Sequence, residues 1–178
     1  SGGVGNGIYK SMDSGSSWTD ITPKDGLFMD GRFYQVGRIL VDPNNPDIVL
    51  THTWGRYRET FIFKSIDGGI TWDVKKFFLP TGPQINNWFK IKDLKVDPSD
   101  FNIQYFSLQK ISGVYKSTDA GEKWTKGGDF GLNINEKDVS RAELVISKSN
   151  SNLLYASIYS NKGDSYLARS LDGGVSWH

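Results

Sequence analysis

The sequence predicts an all-β fold assembled from repeated four-stranded antiparallel units, and three observations predict it. An eight-residue pattern, Ser-x-Asp-x-Gly-x-x-Trp, occurs four times, at 11–18, 65–72, 117–124 and 170–177. Its tryptophans, Trp18, Trp72, Trp124 and Trp177, are 54, 52 and 53 residues apart, and a fixed period near 50 residues marks a repeat architecture. The residues that flank each copy alternate apolar and polar side chains, as half-buried strands do. No stretch of useful length carries a helical period.

The elements follow one another in a constant order within each period. Ile39-Leu40-Val41 ends a first strand, A, and Asp42-Pro43-Asn44-Asn45-Pro46-Asp47 turns the chain into strand B, from Ile48 to about Trp54. Strand C runs from Phe61 to Ser65, and strand D from Trp72 to about Phe77. A second copy of the A–B segment lies at 94–105 and a weaker third at 144–155, each a strand, a Pro/Asn/Asp/Ser turn and a strand. Ile8-Tyr9-Lys10, Ile62-Phe63-Lys64, Val114-Tyr115-Lys116 and Leu167-Ala168-Arg169 lead into the four octapeptides, so each octapeptide is the turn of a C–D hairpin.

Each residue type has a task in that turn. The carboxylates of Asp13, Asp67, Asp119 and Asp172 accept hydrogen bonds from turn amides, as in Asx-turns. Gly15, Gly69, Gly121 and Gly174 supply a positive φ that other residues take only at a cost. The tryptophan covers the hairpin end and keeps its N–H near a partner.

Composition narrows the function classes. The 178 residues carry 21 basic and 20 acidic side chains, intermixed, for a net charge of +1. There is no basic stripe for nucleic acid and no polybasic run for a lipid surface. No apolar run approaches the ~18 residues of a membrane helix, so no membrane insertion is expected, and no leader segment is visible: residues 1–7 read as a loop. Aromatic residues make up 13%, with six Trp and eight Tyr, which suits cross-strand pairing. Cysteine is absent, which removes disulfides, thiolate metal sites and a cysteine nucleophile.

Four antiparallel strands per ~50 residues describe the blade of a β-propeller. The octapeptides resemble the Asp-box (BNR) repeat of sialidases, sortilin-type receptors and xyloglucanase-type glycoside hydrolases. Residues 36–49, followed by a strand and Lys64-Ser65-Ile66-Asp67-Gly68-Gly69-Ile70-Thr71-Trp72, are most similar to the sortilin and xyloglucanase-type group. The resemblance covers nearly the whole chain and speaks for fold, because the matched residues are turn-makers. It implies one segment of a single propeller: a C–D hairpin at 1–23, blades at 32–79 and 88–127, and a blade at 139–178 cut short in its last strand. Propellers close with typically 4–8 blades, so a partial propeller is expected, completed by the rest of its own propeller in a longer chain. Closure through oligomerisation is the alternative.

Strand parity assigns the two faces. The A–B and C–D turns share one face, and the irregular B–C and D–A connections share the other, where a regular scaffold usually carries function. In the resembling families that second face bears the ligand or active site. Its richest stretch is His52-Thr53-Trp54-Gly55-Arg56-Tyr57-Arg58-Glu59, whose Trp54, Arg56, Tyr57 and Arg58 suit sugar stacking or protein contacts. Trp88 is a further candidate. The competing reading packs Trp54, Tyr57 and Trp88 between blades and leaves the arginines solvated. His52 alone is not a catalyst. The octapeptide aspartates make neither a catalytic nor a calcium site, since one Asp per turn offers too few oxygens.

For catalysis, the aligned inner strands place Arg38, Asp93 and Glu143 at equivalent positions. Asp93 and Glu143 would form an acid/base pair at the ~5–9.5 Å separation that glycosidases use. Charge compensation with Arg38 is the competing reading. The arginine triad and Tyr–Glu pair of the sialidase pattern do not assemble here. Nor does the pair of aspartates that xyloglucanase-type enzymes draw from two propellers. The expectation is therefore an exported or cell-surface protein, bacterial in type, whose propeller binds a glycan or protein ligand without cofactor or metal. A fragment of a xyloglucanase-like glycoside hydrolase and a structural module of a large adhesin or cargo protein are the alternatives.

Overall fold

A computed structural model describes residues 7–23, 35–54, 60–75 and 90–178. Their regular elements are all strands, apart from one 3-10 turn at Glu136–Asp138. The chain divides into two compact units, Ser1–Trp88 and Phe89–His178.

In the first unit, β1 (Tyr9–Lys10) and β2 (Thr19–Asp20) pair as a short hairpin. Strands β3 (Gln35–Val41), β4 (Val49–Trp54), β5 (Thr60–Ser65) and β6 (Asp73–Lys75) form an antiparallel meander in sequence order. The second unit repeats this with β7 (Ile91–Val96), β8 (Gln104–Leu108), β9 (Val114–Ser117) and β10 (Thr125–Lys126). Its other sheet holds β11 (Val139–Ile146), β12 (Leu154–Ser160) and β13 (Ser165–Ser170). At the outer edge of β13, Arg169 exchanges both backbone hydrogen bonds with His178, at 2.8 and 2.9 Å. The order is therefore the A-B-C-D order expected from the sequence.

Each first strand of a meander carries a register irregularity near its start: between Val36 and Ile39, between Ile91 and Asp93, and between Val139 and Arg141. Such bulges sharpen local twist and re-aim side chains.

The cores lie between successive sheets. In the first unit Ile8, Val49, Phe63 and Trp72 gather, with Ile21, Val36, Phe61 and Val74 around them. In the second, one face of the β11–β13 sheet supplies Ala142, Leu144, Ile146, Leu154, Ala156, Ile158 and Ala168, packed with Tyr105, Val114, Phe130 and Trp177. The alternation along β12 is strict, odd positions exposed and even positions buried, as a sheet with one covered face requires.

The octapeptide turns are nearly superimposable in their bonding. The serine hydroxyl donates to the aspartate Oδ1 at 2.9, 2.7, 2.8 and 2.8 Å, and accepts the glycine N–H at 2.7, 2.8, 2.9 and 2.8 Å. The seventh residue donates its N–H to the same Oδ1 within 2.8–2.9 Å in all four copies. Where that residue is Ser17, Thr71 or Ser176, its hydroxyl also donates to Oδ2. The third copy has Lys123 there and lacks this bond.

Two residues per turn, not one, adopt positive φ. Besides the glycine at the fifth position, the fourth position is left-handed in every copy: Ser14 at 55°, Gly68 at 69°, Ala120 at 56° and Gly173 at 68°. This conformation is easy for glycine and costly for Ser or Ala.

The A–B turns are chains of Asx-turns. Asp42 Oδ1 accepts from Asn44 N–H, and Asn45 Oδ1 from Asp47 N–H. Asp97 and Asp100 do the same with Ser99 and Asn102. The two kinds of turn also bond to each other. The fourth-position N–H of the octapeptide donates to an A–B turn carbonyl three times: Gly68 to Asp47 at 2.8 Å, Ala120 to Asn102 at 3.0 Å and Gly173 to Asn152 at 2.9 Å. Both motifs therefore sit on one face, as strand parity requires.

Candidate functional site

The opposite face of the second unit is tied together by the remaining connections. The β8–β9 loop meets the β10–β11 segment where Lys110 N–H donates to the Val139 carbonyl at 2.7 Å and Phe130 N–H to the Ser112 hydroxyl at 3.1 Å. The β12–β13 turn meets the same segment through Asn161 N–H to the Asp138 carbonyl at 2.8 Å and an ion pair, Lys162–Asp138, at 2.7 Å. Lys126 bridges Asp129 and Glu136 nearby, at 2.8 and 3.2 Å. A charged, irregular surface results, carried on a regular sheet.

In the first unit the corresponding end of the sheet is occupied by Trp54. It is the last residue of β4, half-buried, with Gln35 and Thr60 as its cross-strand partners. His52 is buried, and its ring lies over Gly37, where an added Cβ would meet the ring atoms at 2.1 Å. His52 is thus packed on backbone at a bulge. Arg56, Tyr57, Arg58 and Trp88 lie outside the described residues.

Asp93 and Glu143 occupy equivalent positions on neighbouring first strands, yet their surroundings differ. Asp93 is 1% exposed. Its Oδ2 accepts the Leu144 N–H at 2.8 Å and lies 3.4 Å from Lys95 Nζ, while Oδ1 accepts the Leu94 N–H at 3.1 Å. Its cross-strand partner is Ser107, whose hydroxyl donates to the Ala142 carbonyl at 2.5 Å. Leu144 N–H and Ala142 C=O belong to the free edge of β11, which would otherwise hold unpaired polar groups in a buried seam. Asp93 and Ser107 together close that edge. Sequence reasoning picked out Asp93 but not Ser107, although a serine recurs at the matching position, Ser157.

Glu143 is exposed and paired with Arg141. Close by, burial and then the Arg141 charge push the Lys92 ammonium below its ordinary pKa. The inner strands of this unit thus present Lys92, Arg141 and Glu143, with the Asp93 carboxylate turned to the backbone of the neighbouring strand.

The octapeptide aspartates are engaged within their own turns. The Ser17 hydroxyl and amide, followed by the Ser11 hydroxyl, hold Asp13 at about 2, and Thr71 and Ser65 hold Asp67 likewise at about 2. Ser176 and Ser170 hold Asp172 lower still. Asp119 is also lowered, first by the Lys123 amide. Among the described residues no three His, Asp or Glu side chains gather in a metal-binding group, and no helix is long and apolar enough to cross a membrane.

No family model matches the chain. Among curated proteins, three that resemble it do so over 70–96% of its length. A xyloglucanase of Paenibacillus sp. is 27% identical over 96% of this chain and 18% of its own length. The xyloglucanase Xgh74A of Acetivibrio thermocellus is 27% identical over 96% of this chain and 22% of its own. A xyloglucanase of Hypocrea jecorina is 28% identical over 70% and 15%. The chain therefore spans between 15% and 22% of the curated relatives it matches. Among solved structures, an ancestral GH74 enzyme superposes with a TM-score of 0.64 at 22% identity, covering 96% of this chain and 21% of that one. A GH93 α-L-arabinofuranosidase of Fusarium graminearum, solved with arabinobiose, gives 0.50 at 19% identity over 88% and 49%. These likenesses establish the fold: the sheets are β-propeller blades of four antiparallel strands, of the kind that occurs in glycoside hydrolases.

Proposed function

We propose that this chain is a segment of an Asp-box propeller in an exported glycoside hydrolase of xyloglucanase-like type. Its task there is to hold a β-glucan chain on the face opposite the octapeptide turns. One observation carries the reading: the similarity to the xyloglucanases of Paenibacillus sp. and Acetivibrio thermocellus runs over 96% of the chain. The composition agrees with an uncharged ligand, since acidic and basic residues nearly balance. Trp54, Arg56, Tyr57, Arg58 and Trp88 are the residues proposed to meet the glycan, by ring stacking and hydrogen bonding.

Asp93 serves in this reading as a positioning residue for β11, because both of its oxygens are already bonded to backbone. Glu143 retains solvent access beside Arg141. Hydrolysis then draws its carboxylates from other parts of the polypeptide.

The test is reducing-sugar release from xyloglucan by the full-length polypeptide that contains this segment. Hydrolysis weakened by Trp54→Ala through a higher KM supports the assignment. No release from xyloglucan or other β-glucans, with binding retained, would leave the segment as a glycan- or protein-binding module. That second reading is favoured by the engagement of Asp93.

A further inference from the structure

The dipeptide Asp-Gly occurs four times, at 25–26, 30–31, 67–68 and 172–173. It is chemically labile, because glycine has no side chain to crowd its nitrogen. That nitrogen attacks the aspartate Cγ, a C–N bond forms, and the carboxyl hydroxyl leaves as water with the amide proton. The succinimide then takes up water at either carbonyl. It opens mostly to isoaspartate, in which the main chain runs through Cβ.

Two of these pairs lie in octapeptide turns, and the fold demands glycine there. The φ angle is 69° at Gly68 and 68° at Gly173, in the region that favours glycine. A Cβ on Gly68 would stand 2.6 Å from Lys10 Nζ, and one on Gly173 2.9 Å from Lys116 Nζ. Backbone geometry therefore places the labile pair at the hairpin tip.

The same turns restrain both reacting groups. Gly68 N–H donates to the Asp47 carbonyl at 2.8 Å and Gly173 N–H to the Asn152 carbonyl at 2.9 Å, and both glycines are buried. Their own carbonyls accept from Lys10 Nζ at 3.1 Å and Lys116 Nζ at 3.3 Å. The peptide planes on either side of each glycine are thus pinned. The Asp67 carboxylate accepts from the Ser65 hydroxyl at 2.7 Å, the Thr71 N–H at 2.8 Å and the Thr71 hydroxyl at 2.5 Å. Asp172 accepts likewise from the Ser170 hydroxyl at 2.8 Å, the Ser176 N–H at 2.8 Å and the Ser176 hydroxyl at 2.6 Å. Ring closure needs a protonated carboxyl, and donors of this kind favour the carboxylate. It also needs Cγ to swing onto the next nitrogen, away from those donors.

We infer that the octapeptide turn is a lock against isoaspartate formation at Asp67 and Asp172, released only when the turn itself opens. Release leads one way. The succinimide has no N–H for the A–B turn, and isoaspartate carries its carboxylate away from the serine and the seventh residue. Each modified chain therefore records a turn that had opened, an event that needs no global unfolding. The inference is independent of any hydrolytic activity.

The experiment ages the 178-residue chain at neutral pH, in buffer and in urea, and maps isoaspartate site by site with isoaspartyl methyltransferase labelling of its peptides. In urea all four Asp-Gly pairs should convert at similar rates. In buffer Asp67 and Asp172 should convert at least about tenfold more slowly than in urea. Thr71→Val should speed Asp67 several-fold in buffer, spare Asp172, and change neither rate in urea. Ser176→Ala should do the converse. Thr71→Ser keeps the hydroxyl and should restore the slow rate. Equal rates in buffer and urea, or no acceleration by Thr71→Val, would overturn the inference. So would acceleration of Asp172 as much as Asp67, or a Thr71→Ser chain as labile as Thr71→Val, since either would mean general loss of stability.

Discussion

The Asp93 carboxylate accepts the Leu144 N–H at 2.8 Å across 51 positions of sequence, and the cross-strand neighbour Ser107 takes the Ala142 carbonyl on the same strand edge. The pair substitutes for the missing strand on that side of β11. Asp93→Ala leaves a buried N–H without a partner and should cost about 1–3 kcal/mol in urea unfolding of the 178-residue chain. Asp93→Asn keeps an acceptor oxygen and should cost less. Equal losses for the two variants would mean that charge, through Lys95, matters more than the amide bond.

Acid stability should follow the octapeptide aspartates. Asp13 and Asp67 have folded pKa values of about 2, depressed from 3.8 chiefly by the Ser17 and Thr71 hydroxyls. A group depressed in the folded state stabilises fully above its unfolded pKa, and that contribution is lost as pH falls through the folded value. Tm should hold above about pH 4 and decline between about pH 4 and pH 2. Ser17→Ala and Thr71→Val should raise the pKa of their aspartates and shrink that decline. NMR titration of the carboxyl carbons reads both effects.

The third turn is the least complete and should be the easiest to improve. Ala120 holds φ at 56° where two sister turns have glycine, so Ala120→Gly should stabilise by about 0.5–1 kcal/mol despite the freedom glycine adds to the unfolded chain. Lys123→Thr restores the hydroxyl that Thr71 supplies to Asp67 and should carry Asp119 further below its ordinary value. Thermal melts of the single and double variants should show both gains.

At the bulge of β3, Gly37 leaves room for the His52 ring, since a Cβ there would meet it at 2.1 Å. Gly37→Ala should destabilise by about 1–3 kcal/mol through overpacking. Adding His52→Ala should recover part of the loss, a coupling that a double-mutant cycle measures.

Local pattern made much of the fold legible. Strands expected at 48–54 and 61–65 occur at Val49–Trp54 and Thr60–Ser65, because apolar alternation and turn residues both report on near neighbours. Strand D starts at Asp73 instead of Trp72, since the Trp72 indole is still bound to the Gly69 carbonyl of the turn. The left-handed fourth position went unread, as Ser14 and Ala120 gave no hint of it. The work of Ser107 was also hidden: its partner lies 35 residues away, and no periodicity within one strand reports a contact between sheets. Of the proposed ligand residues, only Trp54 falls on a described strand; Arg56, Tyr57, Arg58 and Trp88 lie outside the described residues.

The bond from the octapeptide amide to the A–B turn, made by Gly68, Ala120 and Gly173, clasps the two hairpins of a blade at one end. A strand that slipped by one residue would break this clasp and turn its apolar side chains outward. Register is thereby guarded from the turn end alone. Connections at the far end can lengthen, shorten or change residues without disturbing strand pairing, which gives such a blade a free hand in the surface it offers to a ligand.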